Sequence, residues 1–309
     1  MKRASLFALA AAPIALFAAN PAFAEAQPAV QTAAATTTAT AEPSKGPALW
    51  KVADADTTIY LFGTVHVLPK EIEWYDATIA KALEGSDILV TEIPMDSSSE
   101  AAMQQLTMTK GMLPAGTTLR SLLTAEQTTQ YTAALAKLGA PPEAFDPLKP
   151  WLAALTFTIV PLMQSGYDPN SGVEKVLLSK VGDKPKGALE TAEFQLGIFD
   201  GMAQDAQVTF MMEAATEMDK AKPMLDRMVA EWAKGDADQL AAVMNEGLDD
   251  PKVAEALLYS RNANWAEWID TRLDQPGTVF IAVGAGHLAG AKSVQDVLAQ
   301  KGIKVTRVK

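Results

Sequence analysis

The sequence contains no cysteine and only two histidines among its 309 residues. Without cysteine the chain can form no disulfide, offers no thiolate ligand to a metal, and has no cysteine to carry a lipid anchor. Basic residues are also in deficit, with 26 Lys and Arg against 37 Asp and Glu and a formal net charge of −11. Nucleic-acid binding needs clustered Lys and Arg that contact phosphates, so we expect no nucleic-acid partner.

The N-terminus has the order of features typical of a secretory signal peptide. Lys2 and Arg3 precede an apolar stretch at 4–19, and a small-x-small tripeptide follows at 22–24. The apolar stretch is short for a membrane span, and a cleavage site follows it. We therefore predict a cleavable signal peptide at 1–24, and a periplasmic or secreted protein with no stable membrane insertion after cleavage.

The pattern of the remaining chain predicts one folded domain behind a leader. Residues 25–46 are rich in Ala, Thr and Pro, a composition typical of disorder. From residue 47 onward, short apolar strands alternate with helical patterns, and a strand–helix–strand order occurs at both ends of this part. Such units form parallel strands. We predict an α/β domain at 47–309, with a central, mostly parallel sheet built from two related βαβ-type halves and a helical insertion at about 97–255.

Both histidines follow a buried strand and a glycine at the same spacing. Residues 59–66 read IYLFGTVH and residues 278–287 read TVFIAVGAGH, so His66 and His287 each stand three positions after a glycine. A glycine at the end of a strand allows a sharp turn that presents the next side chain at the carboxyl edge of the sheet, where ligands bind in open α/β folds. A single histidine after a buried strand is more often structural than functional. Two histidines that both follow a buried strand and a glycine at the same spacing favour a shared function.

Two further predicted strands end on carboxylates, Glu92 and Glu190. With His66 and His287 they form a set of nitrogen and oxygen ligands suited to a divalent metal such as manganese, cobalt or zinc. A bound metal would turn water into a hydroxide nucleophile near neutral pH. Glu92 or Glu190, if not a ligand, is a candidate general base, and Arg261 is a candidate for stabilising an oxyanion, although a surface salt bridge explains one arginine equally well.

A long helix beginning at about Pro251 is predicted to carry Arg261 together with Trp265 and Trp268. The two tryptophans are three residues apart and therefore share a helix face. We expect them to pack in the core.

The ordered set of these motifs resembles the TraB/GumN family. It runs through Leu49-Trp50, the His66 motif, Val90-Thr91-Glu92, Leu189-Glu190-Thr191 with Gln195, Arg261-Asn262 with Trp265, and the His287 motif with Gly290. The family is similar to the Tiki metalloproteases and, more distantly, to erythromycin-esterase-like hydrolases and a haem-binding lipoprotein branch. The resemblance implies metal or catalytic roles for His66, Glu92 and His287, and also for Glu190 and Arg261.

Three functions are compatible with these residues. We expect an exported, Tiki-like metal-dependent hydrolase of peptide or amide bonds. A metal-free, esterase-like hydrolase with a histidine base is the alternative, and a binding protein for haem or a peptide is the third. The expected partner is a peptide or small-molecule substrate, and the identity of the substrate, the metal and the oligomeric state stay open.

Overall fold

A computed structural model describes residues 46–246 and 251–309. The predicted signal peptide at 1–24 lies outside the described residues, and so does the leader up to residue 45. Within the described ranges, no helix combines the length and the apolar composition that crossing a bilayer requires.

The described chain contains eight strands among its helices. The first part forms β1 (Leu49–Ala53), β2 (Thr57–Thr64), β3 (Leu68–Pro69), α1 (Ala77–Glu84), β4 (Ile88–Thr91), α2 (Ser97–Lys110), a 3₁₀ helix (Leu119–Leu122) and α3 (Ala125–Lys137). The middle forms α4 (Pro150–Gln164), β5 (Tyr167–Asp168), a 3₁₀ helix (Pro169–Ser171), α5 (Val173–Val181), β6 (Lys186–Ala188), α6 (Ala192–Asp200), α7 (Gln204–Lys234) and α8 (Ala237–Asn245). The last part forms α9 (Pro251–Ala254), a π-helix (Glu255–Tyr259), α10 (Ser260–Leu273), β7 (Gly277–Gly284), a 3₁₀ helix (Ala285–Leu288), α11 (Val294–Gln300) and β8 (Val305–Arg307).

The central sheet has the strand order β6-β4-β7-β2-β1-β8. β6, β4, β7 and β2 are parallel, whereas β1 is antiparallel to both of its neighbours. The predicted α/β fold with a mostly parallel sheet is confirmed. However, β7 lies between β2 and β4, and β8 lies at the far edge beside β1, so neither strand–helix–strand unit forms a pair of adjacent strands. The parallel direction still brings the carboxyl ends of β2, β4, β6 and β7 to one edge.

β2 and β7 end at the same level because they pair in register, with Thr64 opposite Gly284. The two histidine-bearing turns therefore leave the sheet side by side. A Cβ at Gly63 would lie 3.0 Å from the Cα of Ala285. This close approach between the turns explains the glycine before the first histidine.

Local sequence signals account well for the first helices. The sequence predicts a helix from about Asp76 to Leu83 that is closed by Gly85. α1 begins after Asp76, whose carboxylate accepts from the backbone N–H groups of residues 78 and 79, and it ends at Gly85. Residues 124–127, TAEQ, predict a capping box, and α3 begins with one formed by Thr124 and Gln127. The apolar sequence at 150–163 predicts a buried core helix, and α4 is indeed buried on nearly every face, where it packs against α7.

Two helical predictions in the second half differ from the structure. The long helix predicted from Pro251 is interrupted by the π-helix before Arg261. The sequence also predicts a helix from Ala291 to Lys301, but α11 begins only at Val294, because Lys292 has a left-handed backbone with φ of 58° and Ser293 caps the helix. The helical insertion stays a prediction, since the stretch is mostly helical but contributes β6 to the central sheet.

Candidate functional site

The carboxyl edge of the sheet brings the predicted site residues together. His66 lies just after β2, Glu92 directly follows β4, Glu190 lies just after β6, and His287 lies in the 3₁₀ helix after β7. Arg261, from the first turn of α10, lies among them and joins both glutamates to His287. Arg261 and His287 are 0% exposed, so the cluster lies inside the protein and not on its surface.

The guanidinium of Arg261 is the centre of this cluster. Its Nε donates to Glu190 Oε1 at 2.9 Å, and its Nη2 donates to Glu92 Oε2 at 2.5 Å and to Glu190 Oε2 at 2.9 Å. Its Nη1 donates to the Leu257 carbonyl at 2.9 Å and approaches His287 Nε2 at 3.1 Å. An arginine has five N–H donors, and these contacts use all of them. In this arrangement Arg261 has no donor left for a substrate oxyanion.

Both carboxylates have further donors around them. Glu92 Oε1 accepts from the backbone N–H of Gly284 at 2.7 Å, and Glu190 Oε1 accepts from Trp265 Nε1 at 2.9 Å. The amide of Gln195 bridges the pair, since its Nε2 donates to Glu92 Oε2 at 2.9 Å and to Glu190 Oε2 at 2.8 Å. Two buried carboxylates beside one guanidinium are tolerable only because each oxygen is hydrogen-bonded.

His287 is held as a neutral ring. The Nδ2 of Asn262 donates to the Lys292 carbonyl at 2.8 Å, which turns the Asn262 Oδ1 toward His287 Nδ1 at 2.6 Å. Nδ1 therefore carries the proton, and Nε2 accepts from Arg261. Burial, and then the positive charge of Arg261, lower the pKa of His287 well below its ordinary value. Glu92 Oε1 lies 3.9 Å from Nε2, but a neutral ring makes no ion pair with it.

His66 has a different environment. Its Nδ1 lies 2.6 Å from Oε1 of Glu174, which also accepts from Thr64 Oγ1 at 2.5 Å. Burial alone would lower the pKa of His66, but the attraction and hydrogen bond of Glu174 outweigh burial and raise that pKa above its ordinary value. Its Nε2 is buried and has no hydrogen-bond partner among the described residues. Of the two histidines, His66 alone therefore presents a free ring nitrogen.

The N-terminus of α5 brings Glu174 to His66. The backbone N–H of Val173 donates to the Val65 carbonyl at 3.0 Å, so the helix begins against the histidine turn. Gly172 permits this contact, because a Cβ there would lie 2.1 Å from the carbonyl oxygen of His66. The carbonyl oxygen belongs to the backbone and the position of a Cβ is fixed by the backbone, so neither atom can rotate away.

We expect Gly172→Ala to push α5 away from His66 and to break the contact with Glu174. The φ of Gly172 is −56°, so the cost is steric and not conformational. Overpacking of this kind costs about 1–3 kcal/mol. Denaturant unfolding measures the loss, and the pKa of His66, followed by NMR, should fall toward its ordinary value.

Gly197 provides the matched control. It lies inside α6, and a Cβ there would meet no atom within 4 Å. Gly197→Ala should therefore leave stability unchanged or raise it by about 0.5–1 kcal/mol. A Gly172→Ala protein as stable as wild type would contradict the packing described for α5.

The metal site of His66, Glu92, Glu190 and His287 stays a prediction, because three of these four side chains are bonded to Arg261 in this arrangement. Glu92, Glu190 and His287 already surround the guanidinium of Arg261, which occupies the place between them. Of these four side chains, His66 alone keeps a ring nitrogen, Nε2, that has no hydrogen-bond partner among the described residues. Among the described residues, no group of three or more His, Asp or Glu side chains is disposed to hold a metal ion.

Trp265 packs in the core, as predicted, and it also belongs to the Arg261 cluster. It is 2% exposed, and its ring centroid lies 4.2 Å from that of His287 and 4.9 Å from the guanidinium carbon of Arg261. Its indole N–H donates to Glu190. Trp268, on the same helix, is partly buried against the smaller apolar cluster of the core, as expected.

Sequence reasoning missed Glu174 altogether. A glutamate in the first turn of a helix is ordinary, because it favours the positive end of the helix dipole, so it carries no signal of its own. The sequence indicated Gln195 and Asn262 only through the family resemblance. Gln195 bridges the two carboxylates and Asn262 contacts His287, and both roles depend on tertiary contacts.

Comparisons with known proteins show the family of this chain. The model of the TraB/PrgY/gumN family matches residues 48–307, and the chain belongs to this family. A protein of Treponema pallidum (strain Nichols), named "Uncharacterized protein", is 23% identical over 271 residues, covering 82% of this chain and 80% of that protein. No solved structure matches the chain.

Proposed function

We propose that this member of the family is a hydrolase in which His66 is the general base and Glu174 orients it. The observation that carries this proposal is the bonding of the His66 ring, with Nδ1 held by Glu174 at 2.6 Å and Nε2 buried without a partner. A carboxylate on one ring nitrogen fixes the orientation of a histidine and leaves the other nitrogen as the proton acceptor. It also stabilises the imidazolium that forms when the base accepts a proton.

The proposed reaction is hydrolysis of an ester or amide. As water attacks the substrate carbonyl carbon, the new carbon–oxygen bond forms and one water proton passes to His66 Nε2. The bond to the leaving group then breaks, and the imidazolium returns the proton to the leaving oxygen or nitrogen. The Arg261 cluster holds the His287 turn beside this site. The export and the peptide or amide substrates expected from the sequence belong to the same proposal.

Activity should depend on pH in the direction set by His66. A general base must be neutral, and the pKa of His66 is raised above its ordinary value by Glu174, so the rate should fall as pH drops through that raised pKa. Glu174→Gln removes the negative charge. The acid limb of kcat/KM should then move to lower pH, and the maximum rate should fall because the imidazolium is less stable.

A matched control for this test is Glu193→Gln, since Glu193 is an exposed glutamate in the first turn of α6. Its pH profile should be that of wild type. If the acid limb of kcat/KM in Glu174→Gln lies at the same pH as in wild type, the result would contradict His66 as the general base.

A metal-dependent hydrolase is the second candidate, and two observations favour it. Each histidine has Nδ1 bonded to an oxygen, of Glu174 or of Asn262, as metal-ligating histidines usually do. The buried site also carries three carboxylates, those of Glu92, Glu174 and Glu190, against one guanidinium. For a metal to bind, Arg261 would have to leave its carboxylates.

Elemental analysis distinguishes the two candidates. Wild-type protein without a histidine tag is dialysed against manganese, cobalt or zinc, and bound metal is measured. A stoichiometric metal and activity sensitive to chelator would support the second candidate. Activity without metal, insensitive to chelator, supports the first, and haem absorbance of the same sample tests the binding hypothesis.

A further inference from the structure

We propose that the cavity beside His66 is the subsite for the acyl part of the substrate and that it selects a small apolar group of about the size of a methyl. This inference rests on the proposed hydrolysis, because it assigns the substrate class to the same site. It names Met228 as a residue that determines specificity.

The cavity lies between the two histidine turns and the helices that cover them. Its volume is about 20 Å³. Apolar side chains form most of its wall, namely Val65, Val67, Leu225, Met228, Leu240 and Ala285.

The polar atoms of the wall are few. Thr64 Oγ1 and His66 Nδ1 are both bonded to Glu174, and Nε2 of His66, which has no hydrogen-bond partner among the described residues, is itself a buried atom. A buried water typically makes about three hydrogen bonds. A wall with so few polar atoms is a poor site for water, and it suits an apolar group whose carbonyl lies near His66.

The size of the cavity limits that group. Roughly 10–15 Å³ of such space holds one water molecule, so 20 Å³ accepts a group of about that size, such as a methyl, and not a propyl chain. Met228, on α7, closes one side. Its unbranched thioether side chain can be shortened without removing a polar contact.

The test compares acyl chain lengths. Wild-type protein, Met228→Ala and Met224→Ala are assayed with p-nitrophenyl acetate, butyrate and hexanoate. A pocket that misfits by a methylene discriminates by about 10-fold or more. We expect wild type to prefer acetate over butyrate by at least about 10-fold in kcat/KM, and Met228→Ala to lose or reverse that preference.

Met224→Ala is the matched control. Met224 lies one turn earlier on the same helix, is half-buried like Met228, and does not line the cavity. It should keep the wild-type order of acyl groups. If wild type hydrolyses the esters but Met228→Ala keeps the wild-type order, the subsite is wrong while the proposed function stands.

A binding measurement keeps the subsite testable without turnover. The ring resonances of His66 are followed by NMR during titration with acetamide and with hexanamide. Acetamide should perturb them in wild type, and hexanamide only in Met228→Ala. Selective binding of acetamide without any hydrolysis would support the subsite and overturn the hydrolase. Equal response to both amides in wild type would overturn the subsite.

Discussion

Replacing the two histidines by asparagine should give opposite results. His66→Asn keeps an N–H that can donate to Glu174 in place of Nδ1, so the buried carboxylate is not left alone. It removes the basic nitrogen. Since a general base contributes about 10²–10⁴-fold to a rate, we expect kcat/KM for ester hydrolysis to fall by about that factor while stability stays close to wild type.

His287→Asn keeps a donor for Asn262 but removes the nitrogen that accepts from Arg261. One N–H of a fully buried guanidinium then has no partner, which costs about 1–3 kcal/mol or more. The lost ring also leaves Trp265 without a packing neighbour at 4.2 Å. The main effect should therefore be on stability, measured by denaturant unfolding, with a smaller loss of activity.

These two variants also test the expectation drawn from the sequence. Two histidines at the same spacing from a glycine predict two equivalent ligands, and removing either should then cost the same. Equal loss of activity in both variants, with stability retained and a bound metal lost, would restore the paired-ligand hypothesis and contradict His66 as a lone base.

The sequence could predict where the site lies because strand direction determines it. A glycine or a carboxylate at the end of each buried strand, together with the parallel order of strands, places His66, Glu92, Glu190 and His287 at one edge of the sheet. The sequence could not predict which atoms bond there. The spacing around both histidines is alike, yet one meets Glu174 from α5 and the other meets Arg261 from α10.

The position of Arg261 depends on features that no local pattern indicates. The π-helix before it breaks the regular helical register, and the Leu257 carbonyl within that segment accepts from the Arg261 side chain. Insertion of β7 between β2 and β4 likewise depends on strand pairing over a long sequence distance. An arginine on a helix is usually at the surface. The burial of Arg261 is therefore a result of the tertiary structure that the local sequence could not predict.

Arg261→Met should be the most destabilising of the substitutions considered. The guanidinium is the positive charge bonded to Glu92 and Glu190, whose side chains are each 6% exposed. Removing one partner of a buried ion pair costs about 3–5 kcal/mol, because the remaining charge is buried without compensation. Denaturant unfolding at neutral pH measures this loss. Arg227→Met is the control, since Arg227 makes a two-point contact with Glu246 at the surface and should cost at most about 1 kcal/mol.

Neutral replacement of the two carboxylates separates the effect of charge from that of lost packing. Adding Glu92→Gln and Glu190→Gln to Arg261→Met should recover part of the lost stability at neutral pH, because no charge then stays buried. An Arg261→Met protein as stable as Arg227→Met would contradict the structural role of the guanidinium, and Arg261 would again be a candidate for stabilising an oxyanion.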